Sequence, residues 1–262
     1  MKQDRNFDDL SERFARNIYG STKGQIRHAV LWQHLSQQLP HLLIPGSLNV
    51  LDAGCGMGQL SSKLIAQGHR LTLCDISKEM LNMAQRLIEQ EVIDKHQTIT
   101  YKHASIQDLA KGRTEQFSIA LCHAVLEWLV DAESVINALA DLVIPGGQLS
   151  LTFYNRDALI YRNLIRGNLR KVKSGDYAGH PGGLTPSNPL HPETVFTWLE
   201  RAGFEIKFKA GVRVFYDYIP RAVREKIALE DILDLEQQYS QTMPYSMLAR
   251  YIHVIAERRH DE

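Results

Sequence analysis

The feature that most narrows what this chain can fold into is the run Val50-Leu51-Asp52-Ala53-Gly54-Cys55-Gly56-Met57-Gly58, an apolar strand that breaks into a turn with glycine at every second position. Glycine takes left-handed backbone conformations easily and lets a ligand approach main-chain amides with no Cβ in the way. A buried strand ending in such a turn and opening a helix marks the crevice at the carboxyl ends of an open α/β sheet. Apolar stretches at Leu48–Asp52, Arg70–Asp75, Thr98–Tyr101, Phe117–Cys122 and Gln148–Tyr154 read as strands. Helical patterns at Gln59–Gln67, Lys78–Glu91 and Ala132–Leu142 alternate with them, which implies right-handed crossovers and a parallel sheet.

The last third reads differently. A helix at His191–Ala202 is followed by two β-rich stretches, Phe204–Tyr218 and Tyr251–Glu257, with a long helix from Pro220 to Tyr239 between them. Such an ending adds an antiparallel pair to one edge of the sheet. The expectation is one doubly wound, mostly parallel, seven-stranded domain over residues 1–262: a helical cap (1–47), a core (48–154), an insertion (155–190) and a closing segment (191–262).

Thirty Lys and Arg balance thirty Asp and Glu, so no global field favours nucleic acid, and any such contact must come from local clustering. No apolar run approaches the roughly 18–20 residues that span a bilayer. The opening MKQDRNFDDLSERF is charged from its first residues, so a cytoplasmic protein is expected. Cys55, Cys74 and Cys122 are odd in number and widely spaced, as reduced core thiols are. No C-x-x-C or H-x-x-x-H spacing suggests a metal.

The turn itself selects among ligands. A dinucleotide fingerprint needs a third glycine three residues after the second; measured from Gly56 that position is Gln59. Asp52 would also repel a pyrophosphate, whereas it suits a ligand carrying an ammonium and a sulfonium. S-adenosyl-L-methionine is such a ligand. With Gly54, Cys55, Gly56 and Gly58 forming the bend, Asp75 closes the second strand where a carboxylate can accept from a ribose diol, with Ser77 free to cap the next helix. Ile106 and Gln107, after the third strand, are placed to meet adenine. Asp108 is either a further contact or a turn acid. His123, after the fourth strand, points to the crevice.

D-A-G-C-G-M-G at 52–58, the acid at 75 and P-G-G-Q-L at 145–149 resemble class I methyltransferases over about residues 48–154. Further segments, D-R-N-F-D-D-L-S-E-R-F-A-R-N-I-Y-G-S-T-K-G-Q-I-R at 4–27, L-C-H-A-V-L-E-W at 121–128, F-Y-N at 153–155, G-V-R-V-F-Y-D-Y at 211–218 and R-Y-I-H-V at 250–254, are similar to the bacterial tRNA carboxymethoxyuridine methyltransferases. That resemblance implies S-adenosyl-L-methionine as cofactor, tRNA as partner and methyl esterification of a carboxymethoxy group on the wobble uridine. It implies cofactor contacts at Arg27, Gly54, Cys55, Asp75, Ile76, Ile106 and His123, with Arg27 pairing with the methionyl carboxylate; alone, Arg27 reads as a solvated helix residue. The chain departs from the pattern in carrying cysteine at 55 and no lysine between Gly175 and Pro186.

Arg156, Arg162, Arg166, Arg170, Lys171 and Lys173 face one acid, Asp157, and the four-residue spacing of Arg162, Arg166 and Arg170 predicts one helical stripe for phosphates. Tyr19, Tyr154 and Tyr216 offer stacking surfaces for an extruded base. A carboxylate is ionised at neutral pH, so no general base is expected; Arg16, Lys23 or Arg213 would hold it. Two alternatives stand beside this: methylation of a small carboxylic acid or quinol, and non-catalytic binding of the cofactor.

Overall fold

The computed structural model describes residues 4–9, 11, 20–91, 98–112, 116–179 and 183–260. Five parallel strands form its centre: β1 (Asn49–Ala53), β2 (Arg70–Asp75), β3 (Ile99–His103), β4 (Phe117–His123) and β5 (Val143–Tyr154). β6 (Phe204–Val212) and β7 (Tyr251–Arg258) complete a seven-stranded sheet in the order β3-β2-β1-β4-β5-β7-β6, with β7 antiparallel to both neighbours. Strand order runs outward from β1 to β3 and then reverses through β4. The carboxyl ends of β1 and β4 therefore flank the topological switch point, where open α/β sheets bind ligands.

Both faces of the sheet are covered. On one, α4 (Ile106–Lys111), α5 (Ala132–Leu142) and α8 (Pro192–Arg201) pack over Leu51, Phe117, Leu149 and Phe153. On the other lie α1 (Thr22–Gln38), α2 (Gln59–Leu64) and α3 (Lys78–Glu91), through Leu35, Leu64, Ala84 and Ile88 against Leu73 and Leu121. Three of the helices that follow strands open on a capping side chain. Ser77 Oγ accepts from Met80 N–H, Ser105 Oγ from Asp108 N–H and Asp131 Oδ1 from Ser134 N–H, each satisfying a first-turn donor that the helix leaves unpaired.

Four expectations change. β5 starts at Val143 rather than Gln148: Val143 pairs with Phe117, and the register then shifts across Pro145-Gly146-Gly147, because Pro145 offers no N–H to a ladder. β6 stops at Val212, where Arg213 turns the chain in a left-handed conformation (φ 64°). The expected helix from Pro220 to Tyr239 is two, α9 (Arg221–Arg224) and α10 (Leu229–Tyr239), with Ala228 extended between them. Residues 225–228 hold no Gly or Pro; a tertiary tie places α10, since Glu236 accepts from the N–H groups of Val214, Phe215 and Tyr216. The arginine stripe is also broken. α6 (Arg156–Ile165) ends before Gly167 (φ 70°), and α7 (Leu169–Ser174) begins afresh, so Arg170 leaves the face that Arg162 and Arg166 share. The insertion is clamped at its root, Arg156 N–H donating to Leu190 O and Leu190 N–H to Tyr154 O.

Candidate active site

A cavity opens at the carboxyl ends of β1, β2 and β4, and its floor is the glycine turn. Gly54, Gly56 and Gly58 all have positive φ (71°, 54° and 68°). At Gly54 a Cβ would also collide with Val125, so that position requires glycine. Gly54 and Cys55 donate to Cys74 O at 2.8 and 3.0 Å, folding the turn back over β2. Cys55 is outside the left-handed region, which is why a side chain is accommodated there.

Asp75 fixes the next wall. Its Oδ2 accepts from Gly56 N–H at 2.9 Å and its Oδ1 from Ser77 N–H at 2.8 Å, leaving each oxygen a further lone pair for an incoming donor. Burial raises its pKa, against those two hydrogen bonds. Asp52 lies deeper. Burial pushes its carboxyl up to about 6; the Ser61 hydroxyl, donating at 2.6 Å, opposes this and Asp75 adds to it. Two acids thus share a pocket that a cationic ligand would relieve.

Of the residues singled out for the cofactor, Arg27, Asp52, Gly54, Cys55, Gly56, Asp75, Ile76, Ile106, Gln107 and His123 all line this cavity. Gly58 does not: it faces Ala84, Leu73 and Ile88, where its missing Cβ lets α3 close on the sheet. Asp108 is a surface acid held by Ser105 and Lys111. Cavity residues that sequence reasoning passed over include Asp4, Arg5, Phe7, His28, Trp128 and Thr152. Residues 4–8 strap the mouth: Arg5 N–H donates to Trp128 O at 3.1 Å, Phe7 meets the Trp128 ring edge-on, Asp4 accepts from Val130 N–H, and Asp8 accepts from Ser77 Oγ at 2.6 Å. No periodic or spacing signal marks such a strap; only the quoted D-R-N-F-D-D segment drew attention to it.

His123 begins a buried chain of hydrogen bonds. Its Nε2 is 2.9 Å from Ser150 Oγ, which is 2.8 Å from His253 Nε2; His253 Nδ1 is 3.1 Å from His34 Nδ1, and His34 Nε2 is 3.0 Å from Ser240 Oγ. Burial drives all three rings toward neutrality, His123 to about 3 and His34 to about 4.

Beyond Thr152, outside the cavity lining, lies a cationic and aromatic cluster. Tyr154 packs edge-on to Tyr251, Arg250 lies 4.6 Å over the Tyr154 ring, and Arg224 lies over the buried Tyr216. Arg213 is buried against Asp217, its Nε donating at 2.9 Å and its Nη2 to the same oxygen. Burial opposes the charge on Asp217, but Arg213 and Arg250 outweigh it and bring the carboxyl down to about 2. Arg213 is therefore committed internally and is not a free holder of a substrate acid. Arg162 and Arg166 both donate to Asp217 O, Lys23 is exposed on the first turn of α1 and Arg170 on α7. Arg16 and Tyr19 lie outside the described residues. Among those described, no group of three potential ligands could hold a metal ion, and no helix is long and apolar enough to cross a membrane.

Comparison with known proteins decides the family. Residues 51–151 match the methyltransferase domain model. Over 256 residues, 98% of this chain and 97% of the relative, the sequence is 44% identical to a tRNA 5-carboxymethoxyuridine methyltransferase of Escherichia coli K12. This chain belongs to that methyltransferase family. Ubiquinone biosynthesis O-methyltransferases are also similar, but less completely: that of Dechloromonas aromatica is 35% identical over 62% of this chain and 67% of its own. In fold, the methyltransferase superposes on magnesium protoporphyrin IX methyltransferase of Synechocystis PCC 6803, solved with S-adenosyl-L-homocysteine, at a TM-score of 0.64, with 20% identity and 96% of each chain covered.

Proposed function

We propose that the enzyme transfers the methyl group of S-adenosyl-L-methionine to the carboxylate of 5-carboxymethoxyuridine at the wobble position of tRNA, giving the methyl ester. The observation that carries this reading is a contrast of charge: acids at the glycine turn line the cavity, and beyond its wall residue Thr152 the chain leads to a cluster of guanidinium groups and tyrosines outside the lining. The donor is a cation and the acceptor an anion, and the two regions carry charges of the opposite signs.

The donor supplies an electrophilic methyl on a positive sulfur. The chain does the rest by placement. Asp75 is set to accept from the ribose hydroxyls, Ile106 and Gln107 to bracket the adenine, and Arg27 to pair with the methionyl carboxylate. Asp52 supplies negative charge below the sulfonium end. No group needs to take a proton, because the attacking carboxylate is already ionised; His123, neutral and tied to Ser150, fits that requirement. The bond to sulfur breaks as the bond to oxygen forms, and two opposite charges vanish together. A site screened from water by the 4–8 strap favours that step, since charge recombination gains from low dielectric, and in-line positioning supplies the remainder.

Incubation with methyl-labelled S-adenosyl-L-methionine and tRNA carrying carboxymethoxyuridine, followed by nucleoside analysis, should place the label on the ester of that nucleoside. Label on free quinols or carboxylic acids without tRNA would assign the enzyme to small-molecule methylation. Cofactor binding with no labelled product would leave a binding protein.

A further inference from the structure

We infer that the guanidinium of Arg250, stacked on Tyr154 two residues along β5 from the cavity-lining Thr152, receives the carboxylate that is methylated. The inference rests on the reading of the substrate given above and adds the residue that reads its charge.

Position comes first. Thr152 lines the cofactor cavity, and Tyr154 is two residues further along β5. Side chains two apart on a strand share a face and sit roughly 7 Å from one another. Arg250 Cζ lies 4.6 Å from the Tyr154 ring centre, so its charge is held one strand step beyond the cavity wall. A stacked guanidinium keeps its N–H edge available for a planar anion.

Next is the lack, among the described residues, of an acid hydrogen-bonded to Arg250. Asp217, on which the charge of Arg250 also acts, is hydrogen-bonded by Arg213. Glu236 is occupied by three backbone N–H groups. Glu127 is fully buried, and burial pushes its carboxyl up to about 8, toward the neutral form. Arg162 and Arg166 each have the neutral carbonyl of Asp217 as partner. Arg250 alone among these arginines presents a buried Nη1 with no hydrogen-bond partner among the described residues. A buried unpaired donor is costly unless something arrives to meet it, and the charge on this one specifies an anion.

The chemistry follows. One carboxylate oxygen accepts from Nη1 while the other stays free to attack the methyl group; the S–CH3 bond breaks, the O–CH3 bond forms, and no proton moves. The ester product carries no charge, so the Arg250 contact weakens as the reaction completes. A uridine with a hydroxyl in place of the carboxymethoxy group gains nothing from Arg250, which makes this residue the discriminator between the two.

The test is a two-by-two comparison. Wild type and Arg250→Ala, both with saturating S-adenosyl-L-homocysteine, are titrated with tRNA carrying 5-carboxymethoxyuridine and with the same tRNA carrying 5-hydroxyuridine. The wild type should prefer the carboxylate by about 30-fold or more, as a desolvated charge pair implies. Arg250→Ala should bind the two tRNAs alike, Arg250→Lys should recover part of the preference, and calorimetric affinity for S-adenosyl-L-homocysteine should hold within twofold throughout. Equal weakening toward both tRNAs would make Arg250 a phosphate or packing residue and overturn the inference, as would an undiminished preference. If Arg250→Ala does not fold, Arg250→Gln gives the same comparison with the stem retained. A wild type that shows neither turnover nor preference defeats the substrate reading itself; a preference that survives the variants defeats only the role of Arg250.

Discussion

The β3-β2-β1 half of the sheet and its β5-β7 half handle charge in opposite ways. In the first, Asp52 and Asp75 are held by backbone N–H groups and a serine hydroxyl, and burial raises both carboxyls. In the second, Arg162, Arg166, Arg213 and Arg250 gather around Asp217 with tyrosine rings between them. The seam is uncharged, occupied by His123, Ser150, His253 and His34. Such a division suits a reaction in which a cation and an anion meet and both become neutral. It also says what each half must tolerate: the first waits for positive charge, and the second has one internal ion pair that must not fail.

The sharpest way to break the contrast is to remove that pair's acid. Asp217→Ala leaves Arg213 buried and unpaired and should cost about 3–5 kcal/mol in urea unfolding; a loss below about 1 kcal/mol would mean that the guanidinium finds another partner. The pH sign is fixed. Asp217 titrates at about 2 when folded, below its ordinary 3.8, so its stabilisation is complete above 3.8 and is lost as pH falls toward 2. Wild type should lose more stability across that window than Asp217→Asn.

On the acidic side the effects fall on ligand rather than on fold. Asp75→Ala frees the Gly56 and Ser77 N–H groups and removes the diol acceptor, so S-adenosyl-L-homocysteine affinity should drop about 100-fold by calorimetry, the scale of one or two charge-assisted hydrogen bonds. Retention within threefold would move the ribose elsewhere. Asp52 gives a smaller, pH-dependent effect. Its carboxyl is raised to about 6 from 3.8, so its contribution to the ligand-free fold is present at low pH and fades as pH rises through 6. A cationic ligand favours the ionised form, so S-adenosyl-L-methionine should bind about tenfold more tightly at pH 7 than at pH 5. Asp52→Asn should flatten that dependence, and a wild-type profile already flat would disconnect Asp52 from the ligand's charge.

The two halves also differ in how legible they are. The glycine turn, Asp75 and the Ile106-Gln107 pair each lie at or just after a strand's end, so local order along the chain places them, and α5 runs over Ala132–Leu142 as its pattern predicts. The basic cluster has no such ordering. Arg162, Arg213, Asp217 and Arg250 come from three segments that meet only because β7 inserts between β5 and β6. A four-residue spacing suggested one arginine stripe, but Gly167 ends the helix between its second and third members. Arg213 carried no local sign that Asp217, four residues on, would bind it across a left-handed turn. The histidine chain was equally hidden: His34, His123 and His253 are too far apart in sequence for any spacing rule.

That chain supports the finest prediction, because one assignment of its protons satisfies every hydrogen bond in it. Ser240 Oγ donates its one proton to Gln237 O at 2.8 Å, so toward His34 it must accept, and His34 carries its proton on Nε2. His34 Nδ1 is then an acceptor, and His253 donates to it from Nδ1. His253 Nε2 accepts from Ser150, and Ser150 accepts from His123 Nε2. His123 is thereby left with a bare Nδ1 for the cavity that it lines, an acceptor at the β4 end, where the methionyl ammonium belongs if ribose sits at β2 and adenine beyond it. Nitrogen-15 shifts of the imidazoles should show His34 and His123 as Nε2–H tautomers and His253 as Nδ1–H; the reversed set would mean that Ser240 donates inward. Ser150→Ala cuts the relay and frees the His123 ring to hold either tautomer, and S-adenosyl-L-homocysteine affinity should fall about two- to tenfold, the worth of one neutral hydrogen bond. The change is small because the chain adds no charge to the seam; it only decides whether the nitrogen facing the ligand carries a proton.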